Sequence, residues 1–134
     1  MDTKRDILFK YLQGKFGILP PTIFDEILAP DYVEHQPSMV RGVSQAKEFA
    51  KILVGGFPDQ HFEVKDEIVY EQKVVMRYEW NAVNSGDFMK WPATHKKIET
   101  HGIMIARVVG IRMVESWEEW DFAGFVGQLE DRQL

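Results

Sequence analysis

The sequence predicts an α+β domain in which N-terminal helices pack on one face of a strongly curved, mostly antiparallel sheet. Three observations predict it. Residues 1–56 carry apolar side chains at helical spacing, and residues 60–122 carry them in the alternation of strands. No low-complexity stretch or internal repeat separates the two halves, so residues 1–134 are expected to form a single domain. Helices followed by consecutive strands is a layered α+β order, unlike the strand–helix alternation of a parallel sheet. Long strands with bulge signals favour strong curvature, and a curved sheet closed by helices forms a cone with an inside.

Each element has its own signal. Thr3 caps a first helix with Asp6 as its capping-box partner, and Ile7, Leu8, Tyr11 and Leu12 form the apolar stripe. Pro20 and Pro21 stop that helix. Thr22 restarts a short one whose Ile23, Phe24, Ile27 and Leu28 face inward until Pro30 closes it. Tyr32 to Gln36 is a short extended piece. Ser44 caps a third helix carrying Ala46, Phe49, Ala50 and Leu53 on one face, ended by Gly55 and Gly56. Phe57-Pro58-Asp59 turns the chain into strands.

Four strands follow. His61 to Tyr70 alternates through Phe62, Val64, Ile68 and Tyr70. Val74 to Val83 places Val74, Met76, Tyr78, Trp80 and Ala82 on one face. A loop at Asn84-Ser85-Gly86-Asp87 leads on to a strand over 97–109, with Ile103 and Ile105 set against Met104 and Ala106. Gly110 marks a hairpin. The last strand, Ile111 to Asp121, puts Met113, Glu115, Trp117, Glu119 and Asp121 on one side.

Composition removes several functional classes. Hydrophobic residues make up 45% of the chain and charged residues 28%, ordinary for a globular protein. The net charge is −5 and the basic residues do not cluster, which argues against a nucleic-acid surface. The absence of cysteine excludes disulfides, thiolate chemistry and cysteine-based zinc sites. No His-x-His or His-Glu-x-x-His spacing occurs, so neither metal nor cofactor is expected. No segment has the roughly 18 apolar residues of a membrane span, and the N-terminus does not read as a signal peptide; a cytoplasmic protein is the expectation.

From about residue 32 to 129 the chain resembles the SnoaL-like polyketide cyclases of the nuclear-transport-factor-2-like superfamily, whose folds are cone-shaped. The resemblance rests on a series of short motifs in order: Tyr32-Val33-Glu34-His35; Phe57-Pro58-Asp59; Arg77 leading to Ala82-Val83-Asn84-Ser85-Gly86-Asp87-Phe88; Pro92-Ala93-Thr94-His95-Lys96; and Glu115-Ser116-Trp117 running to Asp121, with a Gln128-Leu129 tail. Asn84 stands where the family often carries a histidine, and His95 where it carries a glycine. The resemblance specifies the fold more sharply than the chemistry, because this fold hosts cyclases, dehydratases, isomerases, hydrolases and ligand carriers.

What the resemblance implies is proton abstraction beside a carbonyl, followed by intramolecular carbon–carbon bond formation. Asp121 matches the family's acid/base aspartate. A free aspartate, with a pKa of about 3.9, is a poor base for this, so the role requires burial beside Trp117; the competing role is a cap on the turn before Phe122 or an ion pair with a surface cation. His35 would donate to a substrate oxygen or hold Asp121, or else is a core histidine bonded to a carbonyl. Arg77 would stabilise an enolate or bind a substrate carboxylate, or pair with Glu79, Glu99 or Glu115. His101 faces either the pocket or a subunit contact. Tyr32, Trp80, Asn84 and Trp117 complete the expected substrate-binding set, with Trp91 and Trp120 nearer the rim.

The expected ligand is a small carbonyl or aromatic compound. Long strands such as Val74 to Val83 carry apolar residues at both parities while helices cover only one face, so a homodimer through the sheet is expected. Two other readings stay open: a non-enzymatic carrier with a wholly apolar hollow, and a dimerisation domain whose hollow is filled by Met76 and Met104.

Overall fold

A computed structural model describes residues 3–130. Helix α1 spans Lys4–Lys15 and carries the expected Thr3–Asp6 capping box. A 3-10 turn at Pro21–Ile23 and a single helical turn α2, Phe24–Ile27, lead directly into strand β1, Leu28–Gln36. Pro30 therefore closes no helix. It lies inside β1, in the stretch between Leu28 and Val33 where pairing with the neighbouring strand is irregular, the kind of place a strand tolerates a missing N–H donor. A short strand β2, Met39–Arg41, folds back on β1. Helix α3, Val43–Gly56, takes Gly42 as its N-cap, and the Gly42 N–H donates to Gln45 Oε1 at 2.9 Å; Ser44 lies inside the helix and does not cap it.

Strands β3 (Gln60–Tyr70), β4 (Lys73–Val83), β5 (Lys97–Val109) and β6 (Arg112–Trp120) then form an antiparallel meander. A fourth helix, α4, Phe122–Leu129, follows β6 directly; the sequence reading assigned no helix there. Strand order is β2-β1-β6-β5-β4-β3, and β1 runs parallel to β6. The sheet is not closed on itself: β2 and β3 are its edges.

Two bulges bend this sheet. Between β3 and β4 the pairing passes from Val64↔Tyr78 to Asp66↔Arg77, leaving Lys65 unmatched. Between β5 and β6 it passes from Arg107↔Glu115 to Val108↔Met113, leaving Val114 unmatched. The second bulge decides where the site lies. One extra residue exchanges the two faces of a strand, so after Met113 the inward side chains of β6 are Ser116, Glu118 and Trp120, and the outward ones are Glu115, Trp117 and Glu119. The alternation read from sequence through the whole strand holds only up to the bulge.

The core lies between the inner sheet face and α1, α2, α3 and α4. Leu8, Leu12, Phe24, Ala50, Phe57, Val74, Met76, Ile98, Met104 and Phe125 are all buried in it.

Candidate active site

Inside this apolar core sits a polar cluster. On β1 the inward positions are Tyr32, Glu34 and Gln36; on β6 they are Ser116 and Glu118. The α1 stripe contributes Tyr11 and, one turn later, Lys15. Glu34 and Glu118 are both buried. Among the described residues Glu34 accepts hydrogen bonds from the Tyr11 and Tyr32 hydroxyls, from Gln36 Nε2 at 3.0 Å and from Arg41 at 3.2 Å. Ser116 Oγ lies 2.5 Å from the Tyr32 hydroxyl. Glu118 accepts from Lys15 Nζ, from the Tyr78 hydroxyl and from Gln36 Nε2 at 2.8 Å. Two carboxylates face two cations, with Gln36 joining the halves. Buried charge is tolerated only when paired and hydrogen-bonded in this way.

The electrostatics follow from the pairing. Burial alone would push the Glu118 carboxyl up. The Lys15 ammonium beside it, with the Tyr78 and Gln36 hydrogen bonds, outweighs burial and holds it below the usual carboxylate range. The hydroxyls of Tyr11, Tyr32 and Tyr78 are pushed well above the usual phenol value, first by burial and then by the carboxylate each one faces. Glu118 is thus held as an anion, and the three phenols stay protonated as donors.

Against this cluster lies a small hollow of about 30 Å³. The polar side chains lining it are Lys15, Gln36, Tyr78 and Thr100; its apolar wall includes Phe49, Trp80, Phe88, Trp120 and Phe125. The first three of those polar groups are the donors that hold Glu118, so this carboxylate stands one hydrogen bond behind the wall. The hollow has room for about two water-sized groups, far less than the substrate-sized pocket expected from sequence, because aromatic rings from α3, α4 and the 84–96 loop converge on it.

The residues singled out from sequence are dispersed. Asp121 is exposed, and its side chain accepts the Gly124 N–H at 3.0 Å as the N-cap of α4, so the expected burial beside Trp117 is not found. His35 and Trp117 lie on the outer face, their rings stacked at 5.5 Å, and His35 Nε2 is 2.8 Å from Glu115. His35 is therefore neither in contact with Asp121 nor bonded to a core carbonyl. Arg77 is on the outer face too, and its ion pair is with Asp66 at 2.6 Å, a partner the Lys65 bulge brings opposite it and the sequence reading did not name. His101 is exposed, beside Glu79, Asn81, Glu99 and Gln128 in a shallow polar groove. Asn84 is buried but ties loops together, bonding the Gly56 and Gly86 carbonyls and Thr94. Tyr32 is part of the buried cluster. Of the named set only Trp80 lines the hollow, its indole N–H donating to Gln60 at 2.9 Å. Trp120, placed by sequence near the rim, is a wall of the hollow, and Trp91 stacks on Phe88.

Sequence reasoning missed Lys15, Glu34, Gln36 and Glu118. Two signals were present. Lys15 continues the apolar α1 stripe four residues after Tyr11, and Glu34 and Gln36 share the parity of Tyr32. Glu118 had no such signal, because its face depends on the Val114 bulge.

The chain matches the profile of the family described as SnoaL-like polyketide cyclase over residues 20–129. No curated protein sequence matches it at a significant level. Among solved structures, one from Acidithiobacillus ferrooxidans named "putative polyketide cyclase" is similar with a TM-score of 0.82 and 26% identity, covering 99% of each chain. TsrD from Streptomyces laurentii aligns with a TM-score of 0.80 and 21% identity over 96% of this chain and 97% of its own. A SnoaL-like polyketide cyclase from Agrobacterium tumefaciens aligns with a TM-score of 0.74 and 16% identity over 96% and 99%. At those last two identities the likeness is one of fold.

Proposed function

The chain belongs to the SnoaL-like polyketide cyclase family, and from that premise we propose that it is a small acid/base enzyme acting on a carbonyl compound at the hollow between Lys15, Tyr78 and Thr100. The observation that carries the reading is that Lys15, Gln36 and Tyr78, the three donors holding the buried Glu118 carboxylate, all line the hollow. Lys15 binds the carbonyl oxygen, with Thr100 beside it on the wall of the hollow. A proton leaves the adjacent carbon for the Tyr78 oxygen while the Tyr78 O–H proton passes to Glu118. Negative charge moves from Glu118 to the enolate oxygen, and Lys15 faces it before and after. A preorganised cation that needs no rearrangement is the kind of stabilisation that lowers such a barrier. It also offsets the weak basicity of a carboxylate held below its usual range. The enolate then attacks a second carbonyl or is reprotonated at another position. The size of the hollow restricts the group that enters to a few heavy atoms.

A carrier of an apolar ligand would be served by an apolar hollow, and four polar side chains line this one. The test is exchange of the hydrogens next to the carbonyl of small ketones in heavy water, followed by NMR. Glu118→Gln is expected to slow exchange by about 100-fold or more. An unchanged rate in a folded variant would remove Glu118 from the reaction.

We also infer a homodimer through the outer sheet face, where Ile103 is 41% and Val109 42% exposed and the His35–Trp117 stack lies. Apolar side chains exposed among the paired charges of this face call for cover.

A further inference from the structure

Gln36 is the one member of the buried cluster whose hydrogen-bonding orientation is dictated on both sides. Its Nε2 lies 3.0 Å from Glu34 Oε2 and 2.8 Å from Glu118 Oε1. Glu34 already accepts from Tyr11, Tyr32 and Arg41, and Glu118 from Lys15 and Tyr78. Carboxylates so surrounded by donors can only accept. Both Gln36 N–H groups are therefore committed to them, and the amide cannot turn over without setting its oxygen against a carboxylate. The remaining atom, Oε1, has no partner among the described residues, although Gln36 is half-buried and lines the hollow. An amide oxygen has two lone pairs to satisfy, and a ligand that shuts water out of the hollow without supplying a donor leaves this acceptor unmet. Of its polar neighbours on the hollow, Lys15 can only donate; the Tyr78 and Thr100 oxygens, whose protons go to Glu118 and to the Asp121 carbonyl at 3.2 Å, are hydroxyl acceptors, and Gln36 supplies the amide acceptor.

Resting on the acid/base reading above, we propose that Gln36 is the residue that selects the substrate, its Oε1 accepting a hydrogen bond from a hydroxyl carried beside the reacting carbonyl. The substrate class is then a hydroxy-carbonyl compound, its carbonyl oxygen toward Lys15 and its hydroxyl toward Gln36. A site that offers a fixed acceptor to a hydroxyl discriminates against the analogue lacking it, because that acceptor is otherwise left unmet.

Hydroxyacetone and butanone test this, since they differ by a hydroxyl in place of a methyl of nearly the same size. The dissociation constants of both are measured with the wild-type protein by NMR titration, alongside exchange of the hydrogens next to each carbonyl. Hydroxyacetone is expected to bind about tenfold tighter, despite being the less hydrophobic of the two. In Gln36→Met, which keeps the chain length and removes the acceptor, the preference is expected to vanish. Equal binding of the two ketones by the wild type, no binding of hydroxyacetone, or a preference that survives in a folded Gln36→Met overturns the assignment. The two readings fail separately. Loss of the hydroxyl preference while exchange still depends on Glu118 removes Gln36 alone. Exchange indifferent to Glu118→Gln, with the preference intact, removes the chemistry and leaves the recognition.

Discussion

Tyr78 lays its hydroxyl directly over Gly102: a Cβ built on that glycine would fall 2.6 Å from the Tyr78 oxygen and 2.9 Å from the Trp120 Cβ. Gly102 pairs with Tyr78 on one side and Trp120 on the other. The missing side chain is what lets the phenol cross β5 and reach Glu118 on β6. Gly102→Ala is expected to displace Tyr78 from Glu118 and to destabilise the fold by about 1–3 kcal/mol, the usual range for overpacking. Chemical denaturation measures the loss. A tyrosine signal indistinguishable from wild type in the near-ultraviolet circular dichroism of the variant would refute the displacement.

Removing one side of a buried ion pair leaves a stranded charge. Lys15→Met leaves Glu118 with hydrogen bonds but no cation and is expected to cost about 3–5 kcal/mol. The double variant Lys15→Met, Glu118→Gln is expected to recover part of that loss, a non-additivity that a double-mutant cycle in urea reads directly.

The shifted groups set both pH limits. Glu118 has a folded pKa below its unfolded one, so its contribution is present above the unfolded value and is lost as pH falls through the lower, folded value. Tyr11, Tyr32 and Tyr78 have folded values raised well above the unfolded one, so their contribution is complete below about pH 10 and is lost as pH rises beyond it. Stability curves from acid to alkali are expected to fall at both ends. Tyrosinate absorbance from these three rings is expected to appear only together with unfolding; its appearance in a still-folded protein would contradict their burial beside carboxylates.

Asp121 and Glu118 can be separated by one substitution. Asparagine caps a helix about as well as aspartate, and alanine is worse by about 0.5–2 kcal/mol. Asp121→Asn is therefore expected to keep both stability and ketone exchange, while Asp121→Ala loses stability alone. Exchange abolished in Asp121→Asn would move the proton transfer from Glu118 to Asp121.

Ile103 stands at the centre of the outer face, paired with Arg77 and Glu119. Ile103→Lys is expected to convert the dimer to a monomer without touching the hollow, read as halved mass in light scattering with ketone exchange retained. A wild-type protein that is monomeric at high concentration would dispose of the interface.

How much was legible before folding varies by element. The α1 capping box, the inward face of β4 and the bounds of β5 are local properties, set by neighbours one to four residues apart, and the structure agrees with each. Pro30 and Ser44 misled because a proline and a serine carry more than one local meaning, and pairing with β6 and the Gly42 cap decided between them. The family likeness was written in motifs from Tyr32 to Leu129. It identified the architecture, yet of the eight residues drawn from that reading and from the strand pattern only Trp80 borders the hollow.

The amino-acid order by itself determined α1, α3, the four strands of the meander and the inward face of β4, because periodicity is a property of adjacent residues. Only the tertiary structure decided which carboxylate is sheltered. One unmatched residue, Val114, turns the end of β6 over, sending Glu118 inward and Trp117 out. Whether a strand slips by one is decided by its partners across the sheet, and the order of residues along the chain does not say which residues those are.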